Sequence, residues 1–246
     1  NNVAIGHSAL TANTTGANNV AVGSNVLDAN TTASGNTGVG YLALSANTTG
    51  ESNTSVGKDS MLVNTTGSQN TSLGLASLGS NTTADANTAV GRAALGSNTT
   101  GTPNTAVGAY ALDANTTGAN NTAVGKDALG ANVSGGQNAA FGAGALAANL
   151  TDNNTAIGWN SMAATTTGTN NAALGYGSLD ANTTGSSNVA VGYQALTTST
   201  GGDNNTAVGY NALYASTGAG NTALGKGALE TNTTGGSNVA VGLLAL

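Results

Sequence analysis

The sequence predicts an all-β fold, a parallel β-solenoid or β-roll of about 14 to 15 coils, and three observations carry that expectation. The first is a glycine at a fixed interval: Gly6, Gly23, Gly40, Gly57, Gly74, Gly91, Gly108, Gly125, Gly142, Gly158, Gly175, Gly192, Gly209, Gly225 and Gly242 are 17 residues apart, except for two steps of 16 ending at Gly158 and Gly225. The second is an Asn four residues before every one of these glycines, in wording such as the N-T-A-V-G-A-Y-A-L-D-A-N-T-T-G of residues 104–118. The third is a pair of apolar columns, a large residue just before most of the glycines and Leu or Met four residues after each. The repeat fills residues 1–246, so the chain reads as a single array with neighbours only along its axis. Both ends fall inside the repeat without a capping element, and the array is expected to be a segment of a longer fibrous chain.

Each part of the repeat has a physical demand. In a parallel stack with about 4.8 Å between coils, identical amides fall in register, so Asn70, Asn87, Asn104, Asn121 and Asn138 are expected to form a structural ladder. N-T-A-V reads as a short strand, the glycine as a bend, A-L as a second short strand and N-T-T-G as the turn into the next coil, giving two strands and two corners per coil. A helix would need apolar residues at i, i+3, i+4 and i+7, a pattern the Thr-Thr-Gly turn interrupts.

Side chains alternate along a strand, so Asn and the small residue share one face while Thr and the large apolar residue share the other. The small column (Ala21, Ser55, Ala106) suits a narrow interior. This leaves Val22, Val56, Val107 and their counterparts facing outwards, and leaves open on which side the Leu column lies. So long an apolar stripe points to self-association. The alternative, Val and Leu both inside and Ala outside, would permit a monomer.

The wording N-T-A-V-G-x-x-A-L of residues 121–129 and 205–213 resembles the head repeats of trimeric autotransporter adhesins. Asn2-Val3-Ala4-Ile5-Gly6 and Asn188-Val189-Ala190-Val191-Gly192 come nearest to that family's motif. The likeness covers the whole chain, but the 17-residue repeat is longer than usual for such heads and the N-T-T-G corner is added. It implies a left-handed β-roll, a homotrimer of chains side by side, and an extracellular or cell-surface setting in which a rigid fibre or head adheres to cell-surface, matrix or glycan ligands. Repeat arrays of bacterial and phage fibre proteins are similar as well, which implies a second possibility, a structural filament or virion fibre shaft without its own receptor.

Composition limits the chemistry. The net charge is −6 with only four Lys and Arg, so no basic stripe for nucleic acid is expected. No apolar run approaches the roughly 20 residues of a membrane span, so this segment is not expected to insert. With no cysteine and a single histidine, His7, neither a metal site nor a nucleophilic triad is expected, and the chain reads as a non-enzyme without cofactor. Acidic residues form partial columns, Asp28, Asp113, Asp180 and Glu230 in one and Glu51, Asp85, Asp152 and Asp203 in another, which read as solvated corners.

The column just after the glycine varies most and holds all four basic residues, Lys58, Arg92, Lys126 and Lys226. In four consecutive coils it carries Trp159, Tyr176, Tyr193 and Tyr210, a ladder of rings that either stabilises the coil's edge or docks a ligand. Paired threonines such as Thr14-Thr15 resemble ice-binding arrays, though adjacent residues of a strand point in opposite directions. The same corners match the N-x-T glycosylation rule, which makes Asn13, Asn47, Asn98, Asn115, Asn182 and Asn232 candidate acceptors in a glycosylating host.

Overall fold

A computed structural model describes residues 1–246. The chain divides into two compact units, Asn1–Asn121 and Thr122–Leu246, each a parallel β-solenoid with one short strand per coil. The first unit contains β1 (Val3–Ile5), β2 (Val20–Val22), β3 (Thr37–Val39), β4 (Thr54–Val56), β5 (Thr71–Leu73), β6 (Thr88–Val90) and β7 (Asn104–Val107). They pair in chain order and in parallel, each residue facing its counterpart 17 positions on, as in Thr88 to Thr105 and Val90 to Val107.

The second unit runs through β8 (Asn121–Val124), β9 (Ala139–Phe141), β10 (Thr155–Ile157), β11 (Ala172–Leu174), β12 (Val189–Val191), β13 (Thr206–Val208), β14 (Thr222–Leu224) and β15 (Val239–Val241). Its pairing is also parallel and in order. Both 16-residue steps keep the register, Ala140 facing Ala156 and Ala207 facing Ala223, so the missing residue is taken from the corner. There Asn149 and Asn154 stand five apart, where Asn132 and Asn138 stand six apart.

The expected second strand is not formed; the A-L segment is a turn. Its residues two and four after the glycine are left-handed, as Asp59 (φ 55°) and Met61 (φ 49°) or Tyr110 (φ 59°) and Leu112 (φ 52°) show. A β-strand cannot hold that conformation. The turn is nevertheless bonded to its neighbours, the Asp59 N–H donating to the Tyr41 carbonyl of the coil before (2.9 Å) and the Met61 N–H to the Ser77 carbonyl of the coil after (3.0 Å).

The anchor glycine is set by geometry. Gly57 has φ +140°, which residues with a Cβ rarely adopt, and a Cβ there would run into the carbonyl of Gly74 in the next coil. Coils at about one strand spacing leave no room for it.

The interior is thin. It holds the small column (Ala89, Ala106, Ala123), the Ala or Ser before each Leu, and the Leu column itself, completely buried from Leu27 to Leu213. The Leu column therefore faces inwards, which the sequence reading left open, while Val and its equivalents face outwards and Ala lies inside, as expected. The left-handed turn swings the Leu side chain back over the Ala methyls. Volumes compensate locally: a Cβ at Gly38 would lie 2.5 Å from Val26 Cγ1, so the larger Val26 fills the space a methyl would take. Where serine replaces alanine the hydroxyls satisfy one another, Ser55 to Ser60 (2.8 Å), Ser60 to Ser72 (2.8 Å) and Ser72 to Ser77 (2.6 Å).

Candidate functional site

One continuous surface in each unit is the outer face of the strands. Alternation along T-A-V turns the Thr and Val positions out and the Ala in. Thr88 and Val90, or Thr206 and Val208, are half-buried, and Leu73, Phe141 and Leu174 are more than 40% exposed. Neither outward file contains a charged residue in any coil. Lysines, which commonly protect exposed β-surfaces, are absent from it. The sequence showed the outward Val file; the Thr file beside it follows from the same period of two.

The second surface is the aromatic ladder of the second unit. Each of its residues follows an anchor glycine, so the solenoid repeat itself superposes them. Trp159 and Tyr176 stack with centroids 4.9 Å apart, Tyr176 and Tyr193 at 5.1 Å, and Tyr193 and Tyr210 at 5.2 Å, with the tyrosine planes within 9° of parallel. Lys226 Nζ lies 5.7 Å from the Tyr210 centroid and extends the stack by a cation. All four aromatic residues are 42–50% exposed. Because Tyr176 and Tyr193 each have a neighbouring ring on both faces, solvent meets mainly edges and phenol groups. The ladder is a ridge of edges and hydroxyls, not a set of open ring faces.

The amide columns divide the work differently from the expected ladder. Asn70, Asn87, Asn104, Asn121 and Asn138 are buried. Their main link is side chain to backbone: the Asn87 N–H donates to Asn70 Oδ1 (2.9 Å), the Asn104 N–H to Asn87 Oδ1 (2.9 Å) and the Asn121 N–H to Asn104 Oδ1 (3.0 Å). The side-chain amide reaches a carbonyl at the following corner, Asn104 Nδ2 donating to Gly118 O (2.8 Å) and Asn138 Nδ2 to Thr151 O (2.7 Å).

The strand column also carries the expected amide-to-amide bonds in some coils, Asn70 Nδ2 donating to Asn53 Oδ1 (3.2 Å) and Asn121 Nδ2 to Asn104 Oδ1 (3.2 Å), and a second such run is built by the Asn column of the N-T-T-G corners. Asn47 donates to Asn30 (3.1 Å), Asn64 to Asn47, Asn81 to Asn64, Asn98 to Asn81 (3.1 Å) and Asn115 to Asn98 (2.9 Å). This places the candidate glycosylation acceptors inside the coil. Asn47, Asn98, Asn115 and Asn182 are fully buried, while Asn13 and Asn232 are half-buried. A glycan on Nδ2 of Asn47, Asn98 or Asn115 would have to break ladder bonds and enter a closed interior. The first Thr of each pair is also engaged, Thr48 Oγ1 donating to Thr65 O (3.0 Å).

Acidic side chains do more than cover corners. Asp152 and Asp203 carboxylates accept the backbone N–H of Gly136 (2.6 Å) and Ser186 (2.8 Å) one coil back, as Asp85 does from Ser68 (2.6 Å). Glu230 Oε1 accepts from Asn211 Nδ2 (2.9 Å). Burial pushes the Asp180 carboxyl above the ordinary range, and a hydrogen bond from the Ala163 backbone partly opposes that shift. His7 lies exposed at a corner with Ser8 as its neighbour (3.1 Å). No three of the His, Asp and Glu side chains converge on one point.

A groove on the turn side of the first unit, walled by Asp59 at one end and Tyr110 and Asp113 at the other, was not identified from the sequence columns. Its signal was present as two consecutive coils with Ala and Gly where their neighbours carry larger residues, Ala76 with Gly79 and Ala93 with Gly96. No protein-family model, no curated protein and no solved structure matches the chain. The functional reading therefore rests on these surfaces.

Proposed function

We propose that the chain is a rigid structural segment of an extracellular fibre or adhesive head, of the type its wording resembles, in which copies associate side by side as a homotrimer. The observation that carries this reading is the uncharged outer face of T-A-V strands, repeated coil after coil with its aliphatic file half-buried in some coils and exposed in others. Such a face gains from being covered, at roughly 25 cal/mol per Å² of apolar surface removed from water. In this reading the ridge of Trp159, Tyr176, Tyr193 and Tyr210 is the attachment line, offering hydroxyls and apolar edges to a cell-surface, matrix or glycan partner. The role is presentation and adhesion without catalysis or cofactor.

Light scattering on residues 1–246 tests the association. The expected species has three times the chain mass of 23.3 kDa. Lysine at Val90 and Val107, which stand in the outward file, is expected to return it to the monomer with its β-structure intact. A wild-type chain that stays monomeric at high concentration would remove the reading. Loss of partner retention in a folded Trp159→Ala, Tyr193→Ala variant would support attachment by the ridge, and unchanged retention would exclude it.

The exposure of the aromatic ridge also favours a second reading, a filament without receptor in which ridges join copies laterally. Bundling visible by electron microscopy that disappears with Tyr176→Ser, Tyr193→Ser and Tyr210→Ser would select it.

A further inference from the structure

We propose that the groove on the turn side of the first unit is a binding site for a neutral saccharide. It is formed by omission. The position five residues after the anchor carries Asp28, Ser45, Leu62 and Asp113 in other coils of this unit, and glycine only at Gly79 and Gly96. Neither glycine needs to be one: neither has a left-handed φ, and a Cβ would lie 3.1 Å from the carbonyl of Ala76 or Ala93. Leu62 and Asp113 accommodate a Cβ at the same place in the repeat. Ala76 and Ala93 likewise stand where the flanking coils have Asp59 and Tyr110. Four small residues in two adjacent coils thus leave a hollow of about 460 Å³, within the 300–1,000 Å³ usual for small-molecule sites.

The lining suits a ring with one apolar face and many hydroxyls. Ala and Gly form a floor against which C–H groups can lie. Ser80 and Ser97 supply hydroxyls along the rim, and the Asp59 and Asp113 carboxyl groups supply acceptors at the two ends. Charge argues for a neutral occupant. Lys58 Nζ lies 3.6 Å from Asp59, and the Arg92 guanidinium lies 5.3 Å from the Tyr110 ring centre at the other end. An anion would meet the carboxylates of the lining, and at Asp59 the Lys58 ammonium already occupies the place of a cation. The backbones of Asp59 and Asp113 are three coils apart, about 14 Å at one strand spacing per coil. The lining offers its two carboxyl groups at opposite ends of the groove and not as a facing pair, and the assignment is binding. It adds a ligand class to the adhesive role proposed above and rests on that role for its biological meaning, but the site is separate from the aromatic ridge.

Calorimetric titration of the full chain with maltotetraose, cellotetraose and tetra-N-acetylchitotetraose tests the site, with spermidine and a heparin tetrasaccharide as charged probes. Saturable binding of at least one neutral tetrasaccharide is expected. It should weaken at least tenfold when Gly79→Leu and Gly96→Leu fill the floor, and also in Ala93→Asn, a side chain this position already carries at Asn25. Tyr176→Ser with Tyr193→Ser should leave it unchanged. Circular dichroism confirms that each variant is folded, and Ala93→Asn carries the test if the double leucine variant is not. Absence of saturation by all three neutral sugars up to about 10 mM overturns the proposal, as does binding unaffected by filling the floor. Saturation by spermidine or heparin alone overturns it too, and loss of binding in the tyrosine variant would move the ligand to the ridge. Light scattering on the same samples reports association independently, so a failed groove and a failed fibre reading are distinguishable.

Discussion

Leu112 shows how a single residue serves this fold at cross purposes with itself. It is completely buried, yet its φ is +52°. A left-handed residue with a side chain costs roughly 1–2 kcal/mol, and burying leucine contributes about 1.5–3 kcal/mol, so burial holds the turn in shape. Leu112→Ala retains the strain and loses the contacts, and a loss of about 2–5 kcal/mol in urea unfolding is expected. Ser199 is the converse case: its hydroxyl is buried without a partner, at the place where other coils have an amide such as Asn182, which donates to Gly185 O (2.9 Å). Ser199→Asn should restore the equivalent bond to Gly202 and raise stability by about 0.5–1.5 kcal/mol; a decrease would show that the corner no longer admits the amide. Asp180 makes stability depend on pH. Its folded pKa is raised by burial, so the folded chain holds the proton more tightly than the unfolded chain. That contribution is complete below the ordinary carboxylate value and is lost as pH rises through the folded one. Asp180→Asn should therefore flatten the acid side of a stability–pH profile and stabilise the protein at neutral pH.

Within a coil the strand and the turn were not equally legible. The three T-A-V positions are a strand in every coil because alternation and, in most coils, β-branched residues agree there. The A-L segment has equally apolar residues, but its conformation comes from closing a 17-residue coil between bonds to the coils before and after. Alternate left-handed residues satisfy that closure, and since they are mostly not glycine, composition did not reveal them. Packing between elements is specific as well. Gly38 and Val26 exchange volume across the interior, so Gly38→Ala is expected to destabilise by about 1–3 kcal/mol through overpacking. Adding Val26→Ala should recover most of that loss, because Ala at both positions is the arrangement elsewhere, as in Ala94 with Ala106. Additive losses in the double-mutant cycle would show that the two do not share the space.

For the molecule as a whole, what matters is the surface that remains after every coil is closed. In each unit the T-A-V strands leave an outer face without charge, and stability should therefore be coupled to association. The melting temperature of the wild-type chain is expected to rise with protein concentration by mass action, whereas the Val90→Lys, Val107→Lys chain should melt at one temperature throughout. Equal behaviour of the two would place the Thr and Val files in solvent and exclude the side-by-side assembly.

The sequence by itself determined the solenoid, its period, its register, the strand in each coil and the inward Ala with outward Val, because each follows from a local rule repeated at fixed spacing. It also located the aromatic ladder, since residues in one column of an in-register stack must superpose. Only the tertiary structure decided that the Leu column is internal, that the corner amides form an amide-to-amide run beside that of the strand amides, and that the rings present edges. These depend on how the chain closes around its own interior, and a left-handed turn reverses the side that simple alternation assigns. The groove belongs to the same class: it exists only because four small residues from two coils become neighbours when the coils stack.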